Sequence, residues 1–340
     1  MKTLIMLAVT TFICSSCTAL PAEERAFAVA LCVEKTDEWR AYARIPTYQT
    51  GGGYMTVAGN GETFQTALAD LDATSPMRIN LSQLRLLVVD ANMTDSGEMP
   101  GVLSVLAERP DIRMQCTVAL TDVPVKVVAD ALKPVTGTRL SKALDLMIDT
   151  RIEQGAILPA VLADVTRMGD RQMPILAGLT LAGKEIALAG GYMMSGEVLT
   201  PDETALLSLL LGQVKSMHLS LGAGSAEVRD ICAKVRLDES CTSARVELRL
   251  TAAASPLSES ELEKELTSKL LALLTRLSAA GCDVLGLGRQ AIMGVHEVCQ
   301  WYALEWPERY RNIRWEVAVG IRSPHKNGHR LLVGVLFYSV

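Results

Sequence analysis

Leu84-Arg85-Leu86-Leu87-Val88-Val89-Asp90, with the segments Met99 to Glu108 and Arg113 to Leu120 that follow it, decides the fold. The first run is continuously apolar apart from Arg85 and is bounded by a polar residue, so it reads as a strand. Apolar residues of the second recur at helical spacing, and the third is a strand again. Strand and helix alternate, which requires a sheet with helices packed on it.

Toward the amino terminus, Arg25 to Lys35 and Glu38 to Ile45 alternate apolar and polar positions around Thr36-Asp37 and read as a strand pair. Gly51-Gly52-Gly53 and Gly59-Asn60-Gly61 punctuate a short strand, and Thr63, Ala67, Leu68 and Leu71 mark a helix after it. Toward the carboxyl terminus, Val123 to Arg151 is mostly helical with interruptions at Pro134 and Gly137, and Pro159 to Met168 is a short helix. Pro174 to Thr200 reads as two or three strands turned at Gly183 and Gly190-Gly191.

At Pro201-Asp202-Glu203 the pattern changes to a short helix through Gly212, with Thr200 as N-cap and Pro201 in the first helical position. A domain boundary is expected here. Beyond it Ser216 to Leu221, Ala226 to Leu237 and Ser243 to Ala252 are strand-like. Ser258 and Glu261 then form a capping box, and Leu262, Leu266, Leu270, Leu273, Leu274 and Leu277 make one apolar stripe that stops at Gly281. A helix from Asp283 to Trp306, a strand from Asn312 to Arg322 and a last strand from Arg330 to Tyr338 complete the chain. The expected class is α+β and multi-domain, with mixed sheets each packed with helices. The expected division is a signal peptide at 1–16, an α/β region at 17–199 with a break near 134–138, and an α+β domain at 200–340.

The 340 residues suffice for two or three domains, and at 49% hydrophobic and 21% charged they can bury enough apolar surface to exclude intrinsic disorder. A formal net charge of −5 leaves no basic surplus for phosphates, so nucleic acid is not an expected partner. The mean hydropathy of +0.24 comes from aliphatic residues spread along the chain. No stretch after the amino terminus is apolar and charge-free over 18 or more residues; the run Ile175 to Met194 is broken by Lys184 and Glu185.

Lys2 precedes an apolar run from Thr3 to Ile13 and then Cys14-Ser15-Ser16-Cys17. That run is too short to span a bilayer and ends in small residues before a cysteine, the layout of a bacterial lipoprotein signal. Cys17, with Ser15 and Ser16 before it, is the expected lipidation site, since Cys14 would follow bulky Ile13. A plain cleaved secretory peptide is the alternative. Six cysteines follow, Cys32, Cys116, Cys232, Cys241, Cys282 and Cys299, with no zinc-type spacing; most read as small core residues, and Cys232 with Cys241, flanking an expected hairpin turn, is the pair to test for a bridge.

No chemical motif meets its physical requirement. Gly286-Leu287-Gly288 with Gly294 imitates a dinucleotide fingerprint, but the third glycine is misplaced and no βαβ unit surrounds it. His296-Glu297-Val298-Cys299-Gln300 lacks the second histidine of a zinc-protease helix. His325 and His329 lie in a stretch with Pro324 and Gly328, and Ser323-Pro324-His325-Lys326 matches a penicillin-binding serine motif by letter only. Trp301, Tyr302, Trp306, Tyr310 and Trp315 form an aromatic cluster that reads as core or interface ahead of a binding platform. The chain is read as having no catalytic, metal or cofactor site.

Several segments in one order resemble the Ger(x)C lipoproteins, the C subunits of nutrient germinant receptors in endospore-forming bacteria. They are the lipoprotein cysteine followed by Glu24 to Leu31 and Glu34-Lys35, Gly61-Glu62-Thr63 before a helix, the strand Leu84 to Val89, and Ile186 to Tyr192 with Leu199 to Leu207, where Glu203 takes the family's glutamate position. Most specific are the helix Glu261 to Ala280, then Asp283-Val284-Leu285-Gly286-Leu287-Gly288-Arg289, a tryptophan-rich helix and the strand Trp315 to Arg322. Thr18-Ala19, Cys32, Glu34 and Leu287 depart from the family pattern, as in a divergent member.

The resemblance implies a non-enzymatic lipoprotein, held to the outer face of the spore inner membrane by diacylglycerol on Cys17, that scaffolds or couples multi-pass A and B subunits. The alternative function is an exported lipoprotein that binds a small-molecule ligand directly.

Overall fold

A computed structural model describes residues 24–47, 53–133, 138–167, 173–222, 224–255 and 257–322. Cys17, His325, His329, the stretch Ser323 to Lys326 and the strand expected at Arg330 to Tyr338 lie outside the described residues.

The strands are β1 (Arg25–Phe27), β2 (Ala30–Lys35), β3 (Trp39–Pro46), β4 (Tyr54–Gly61), β5 (Arg78–Asn80), β6 (Leu86–Asp90), β7 (Thr117–Thr121), β8 (Leu176–Ala182), β9 (Glu185–Tyr192), β10 (Val198–Leu199), β11 (Ser216–Leu221), β12 (Gly224–Leu237), β13 (Ser243–Ala254) and β14 (Arg314–Arg322). The helices are α1 (Phe64–Thr74), α2 (Asn92–Asp95), α3 (Met99–Ala107), α4 (Val125–Ala131), α5 (Leu140–Glu153), α6 (Leu162–Thr166), α7 (Pro201–Leu210), α8 (Glu259–Ala279), α9 (Leu287–Met293), α10 (Val298–Leu304) and α11 (Trp306–Arg311). The class is α+β, with mixed sheets each packed by helices.

Among the described residues the larger sheet has eight strands in the order β10-β9-β8-β7-β6-β2-β3-β4. β2, β6, β7 and β8 are mutually parallel, and the strands outside them run antiparallel to their neighbours. Helices cover both faces. Leu87 and Val89 of β6 face the core built with α1, α3 and α6, whereas Leu86 and Val88 face the core built with α4 and α5. Two-sided burial explains the unbroken apolar run of β6, because each residue, whichever way it points, meets a helix.

The smaller sheet has the order β11-β12-β13-β14, antiparallel except for the parallel pair β13 and β14. Its inner face packs Val246, Leu248, Trp315, Val317 and Val319 against the stripe of α8, where Leu262, Leu266, Leu270, Leu273, Leu274 and Leu277 are all buried. The opposite face carries Arg245, Glu247 and Arg249 in mutual ion pairs at 3.4 and 3.8 Å. Capping starts the helices as the sequence requires: the Ser258 hydroxyl accepts from Glu261 N–H, that of Thr200 from Glu203 N–H, and both boxes are closed by the glutamate.

Several expectations are corrected. The first strand is split: β1 pairs with β5, and the chain crosses at Ala28-Val29 into β2 in the large sheet. Gly59-Asn60-Gly61 is part of β4 itself; α1 lies so close that a Cβ on Gly59 would stand 2.3 Å from the Ala67 carbonyl oxygen. Gly190-Gly191 likewise stays within β9, where Gly190 at φ +72° accompanies a register shift, and the turn comes later, between Tyr192 and Val198. Asp230, at φ +52°, makes a bulge in β12 that no glycine announces. Cys232 and Cys241 are not bridged; both are free thiols, as are Cys32, Cys116, Cys282 and Cys299, because Cys232 lies inside the β12 ladder opposite Arg249 while Cys241 sits in the hairpin turn. The expected helix from Asp283 to Trp306 is two short helices, α9 and α10, with a third, α11, starting at Trp306.

Candidate functional site

The break begins at Asp283. This carboxylate is 3% exposed and accepts N–H bonds from Leu287 at 2.9 Å and Gly288 at 2.6 Å, so it satisfies the first turn of α9, while the Trp306 indole donates to it at 3.3 Å. Gly286, at φ +70°, gives the chain the left-handed turn that brings those amides round. Burial pushes the Asp283 carboxyl above the usual range, opposed by the same N–H donors. The Gly286-Leu287-Gly288 run is therefore a capped helix start built around an internal carboxylate.

Aromatic packing extends from this cap. Trp301, Trp306, Tyr310 and Trp315 are buried in sequence-adjacent contacts, with ring centroids 6.4, 5.9 and 6.4 Å apart, and the Tyr310 hydroxyl donates to the Cys282 carbonyl at 2.9 Å. The cluster is core, as its composition suggests, except for Tyr302, which points out. The near-miss metalloprotease motif is a helix start: Glu297 is the N-cap of α10, and the Gln300 side chain accepts the N–H of His296 and Glu297. Among the described residues no group of three or more His, Cys, Asp and Glu side chains is placed to hold a metal ion.

The backbone carbonyl of Asp283 accepts from Met173 N–H at 3.0 Å. That bond draws the segment before β8 against the start of α9, and a cleft of about 990 Å³ opens between them. One wall is Leu158, Pro159, Asp164, Arg167, Pro174 and Ile175; the other comes from Val284, Arg289 and Ile292 of the α9 region and Trp301 of α10, with Gln213 at the base of α7. α9 is held in place by Gln290, which accepts from Leu237 N–H at 3.1 Å and donates to the Val235 carbonyl at 3.2 Å.

Two features of this cleft are unusual. Val298 and Tyr302 of its lining are both 72% exposed, and Met293 at the end of α9 is 77% exposed, three large apolar side chains in one short stretch. Inside it, Gln213 Oε1 is buried without a hydrogen-bond partner among the described residues. Neither feature follows from motif reading. The one available signal is that Met293, Val298 and Tyr302 belong to two short helices and lie outside any continuous stripe.

Near the top of α7, Glu203 serves both its own cap and Arg276 of α8. Arg276 approaches Glu203 at 2.9 Å and donates to the Val198 carbonyl of β10 at 3.2 Å, so one guanidinium ties the long helix to the edge of the large sheet.

Residues 20–181 match the family model described as spore germination protein N-terminal domain. Among solved structures, the chain is similar to one described as the crystal structure of the GerBC protein, at 12% identity and a TM-score of 0.53, covering 87% of this chain and 97% of that chain. At that identity the likeness is one of fold. No curated protein matches the sequence.

Proposed function

We propose that this chain, whose residues 20–181 match a spore germination protein N-terminal domain, is a GerAC-like protein, the C subunit of a nutrient germinant receptor. It acts as a lipid-anchored, non-catalytic subunit on the outer face of the spore inner membrane, and it scaffolds or couples the multi-pass A and B subunits. The observation that carries this reading is the family match over residues 20–181, the part of the chain that forms most of the large sheet. The Cys17 signal layout supports the anchor. No helix among the described residues is long and apolar enough to cross a membrane.

Tethering contributes by confinement. A domain held at the surface meets its membrane partners at a raised effective concentration without added contact area. The exposed side chains of Met293, Val298 and Tyr302 are the surface we assign to those partners, since large apolar groups are enriched where one protein meets another.

The test expresses wild-type protein and Cys17→Ala in a spore-former and measures membrane partition and intact mass. A diacylglyceryl mass increment and membrane retention, both lost in Cys17→Ala, are expected. Capture of the A and B subunits by wild type, reduced by Val298→Glu with Tyr302→Glu, is the second expected result. Soluble, unmodified wild-type protein overturns the anchor; capture unaffected by the double substitution overturns the assigned surface.

A further inference from the structure

The outer face of the small sheet is bare among the described residues. β13 and β14 turn Val246, Leu248, Val317 and Val319 inward against α8, so the alternate residues point to the other side. A Cβ built on Gly320 of that side would meet no atom within 4 Å. Basic residues dominate the face. β12 contributes Arg229, Lys234 and Arg236, β13 Arg245 and Arg249, and β14 Arg314 and Arg322, all of them exposed. The acids of the three strands are Glu227, Glu247, Glu316 and, in the bulge, Asp230. Seven basic against four acidic residues leave +3 here, in a chain whose formal charge is −5.

The strand register leaves part of this charge unrelieved. Arg236 stands directly opposite Arg245, and like charges so placed destabilise a strand pair. The nearby acids are already engaged: Glu247 is shared by Arg245 at 3.4 Å and Arg249 at 3.8 Å, and Glu227 approaches Arg229 at 3.3 Å. Lys234, Arg236, Arg314 and Arg322 take part in no ion pair among the described residues. Salt screens charges more than about 10 Å apart, so the acidic residues of the large-sheet region do little to cancel this face. Its shape is that of a sheet, about 30 Å along the nine residues of β14, and none of its residues lines the cleft. An extended anionic surface fits it better than a small molecule does.

We propose that the outer face of the small sheet docks on an anionic phospholipid surface, its arginines and lysine meeting the headgroup phosphates. The choice of a lipid surface rests on the reading of Cys17 as an anchor, which holds the chain within reach of one. The charge of the face does not rest on it. Docking in this way fixes which side of the carboxyl-terminal region faces the bilayer and leaves Met293, Val298 and Tyr302, which belong to α9 and α10, outside the contact.

The experiment sediments full-length Cys17→Ala protein, which lacks the proposed acylation site, with vesicles of phosphatidylcholine and with vesicles of equal parts phosphatidylcholine and phosphatidylglycerol. Tighter binding to the anionic vesicles, weakened by added salt, is expected. Adding Arg236→Gln with Arg314→Gln is expected to lower that binding about 25-fold, at about fivefold per basic residue, and to leave the neutral vesicles unaffected. Lys126→Gln with Lys142→Gln removes the same charge from exposed positions of α4 and α5 and is expected to change neither. Equal binding to the two vesicle types, or a loss as large from the lysine pair as from the arginine pair, overturns the proposal. So does tighter binding to duplex DNA than to the anionic vesicles, or an arginine pair that keeps vesicle binding but loses capture of the A and B subunits, which would give the face to an acidic protein. Because the acyl chains are left out, each outcome is separate from the mass and partition test of the anchor.

Discussion

A glycine at position 59 is required by distance. Its hypothetical Cβ would meet the Ala67 carbonyl oxygen at 2.3 Å and the Leu71 nitrogen at 2.4 Å, both backbone atoms of α1 that cannot swing away. Gly59→Ala should therefore push α1 off β4 and cost about 1–3 kcal/mol, read as a lowered denaturation midpoint with unchanged m-value. Asp283 is the second residue whose environment sets a measurable property. Burial raises its folded pKa, so the native state holds the proton more tightly than the unfolded chain does. The stability this contributes is complete below the ordinary aspartate value and is lost as pH rises from about 4 through the raised one. Wild type should lose stability relative to Asp283→Asn over that interval in chemical denaturation at successive pH values; a constant difference would refute the assignment. The cysteines give a third test. Burial pushes the thiols of Cys32, Cys116 and Cys282 up to about 12, while Cys232 and Cys299 are exposed. Native thiol titration should label Cys232 and Cys299 first and leave those three unreactive until the protein unfolds.

Helix α8 shows how an element is specified locally and stabilised from outside. Its Ser258 and Glu261 box satisfies the first turn, and Ser258→Ala should cost about 1 kcal/mol. Its stripe carries more. Leu270 is fully buried against the small sheet, and Leu270→Ala should cost about 2–5 kcal/mol, the spread depending on how far the sheet can close the cavity. The stripe was legible because every residue in it has the same neighbour, the sheet, along the helix. The region after Asp283 was not, because its residues have different duties. Asp283 caps α9, Gly294 ends it, Glu297 caps α10, and Glu305 takes a left-handed conformation before Pro307. A period of 3.6 can be counted through such a segment even though the helix stops and restarts.

At the scale of the molecule, the two sheets are joined through α7. Its buried residues Leu206, Leu207, Leu209 and Leu210 share a core with Leu158, Ile175 and Met193 on one side and with the small sheet on the other. We propose the division at 199/200 as the domain boundary, and the Arg276 to Glu203 pair as the clasp across it. This pair is partly exposed, so its contribution is modest; a double-mutant cycle with Arg276→Met and Glu203→Gln should return a coupling of about 0.5–1 kcal/mol. A coupling indistinguishable from zero would show that α7 packing alone joins the halves.

What the amino-acid sequence determined by itself was whatever depends on near neighbours along the chain: the alternation of strand and helix, the capped start and apolar stripe of α8, and the hairpin of β2 and β3. Such features are periodic, and a period is written in a few consecutive residues. Tertiary structure alone decided that β1 leaves the large sheet for β5, that Gly59 is a contact point and not a turn, and that Arg167, Gln213 and Arg289 line one cleft. Each of these depends on atoms brought together from distant parts of the chain, and no local pattern specifies which distant atoms they will be.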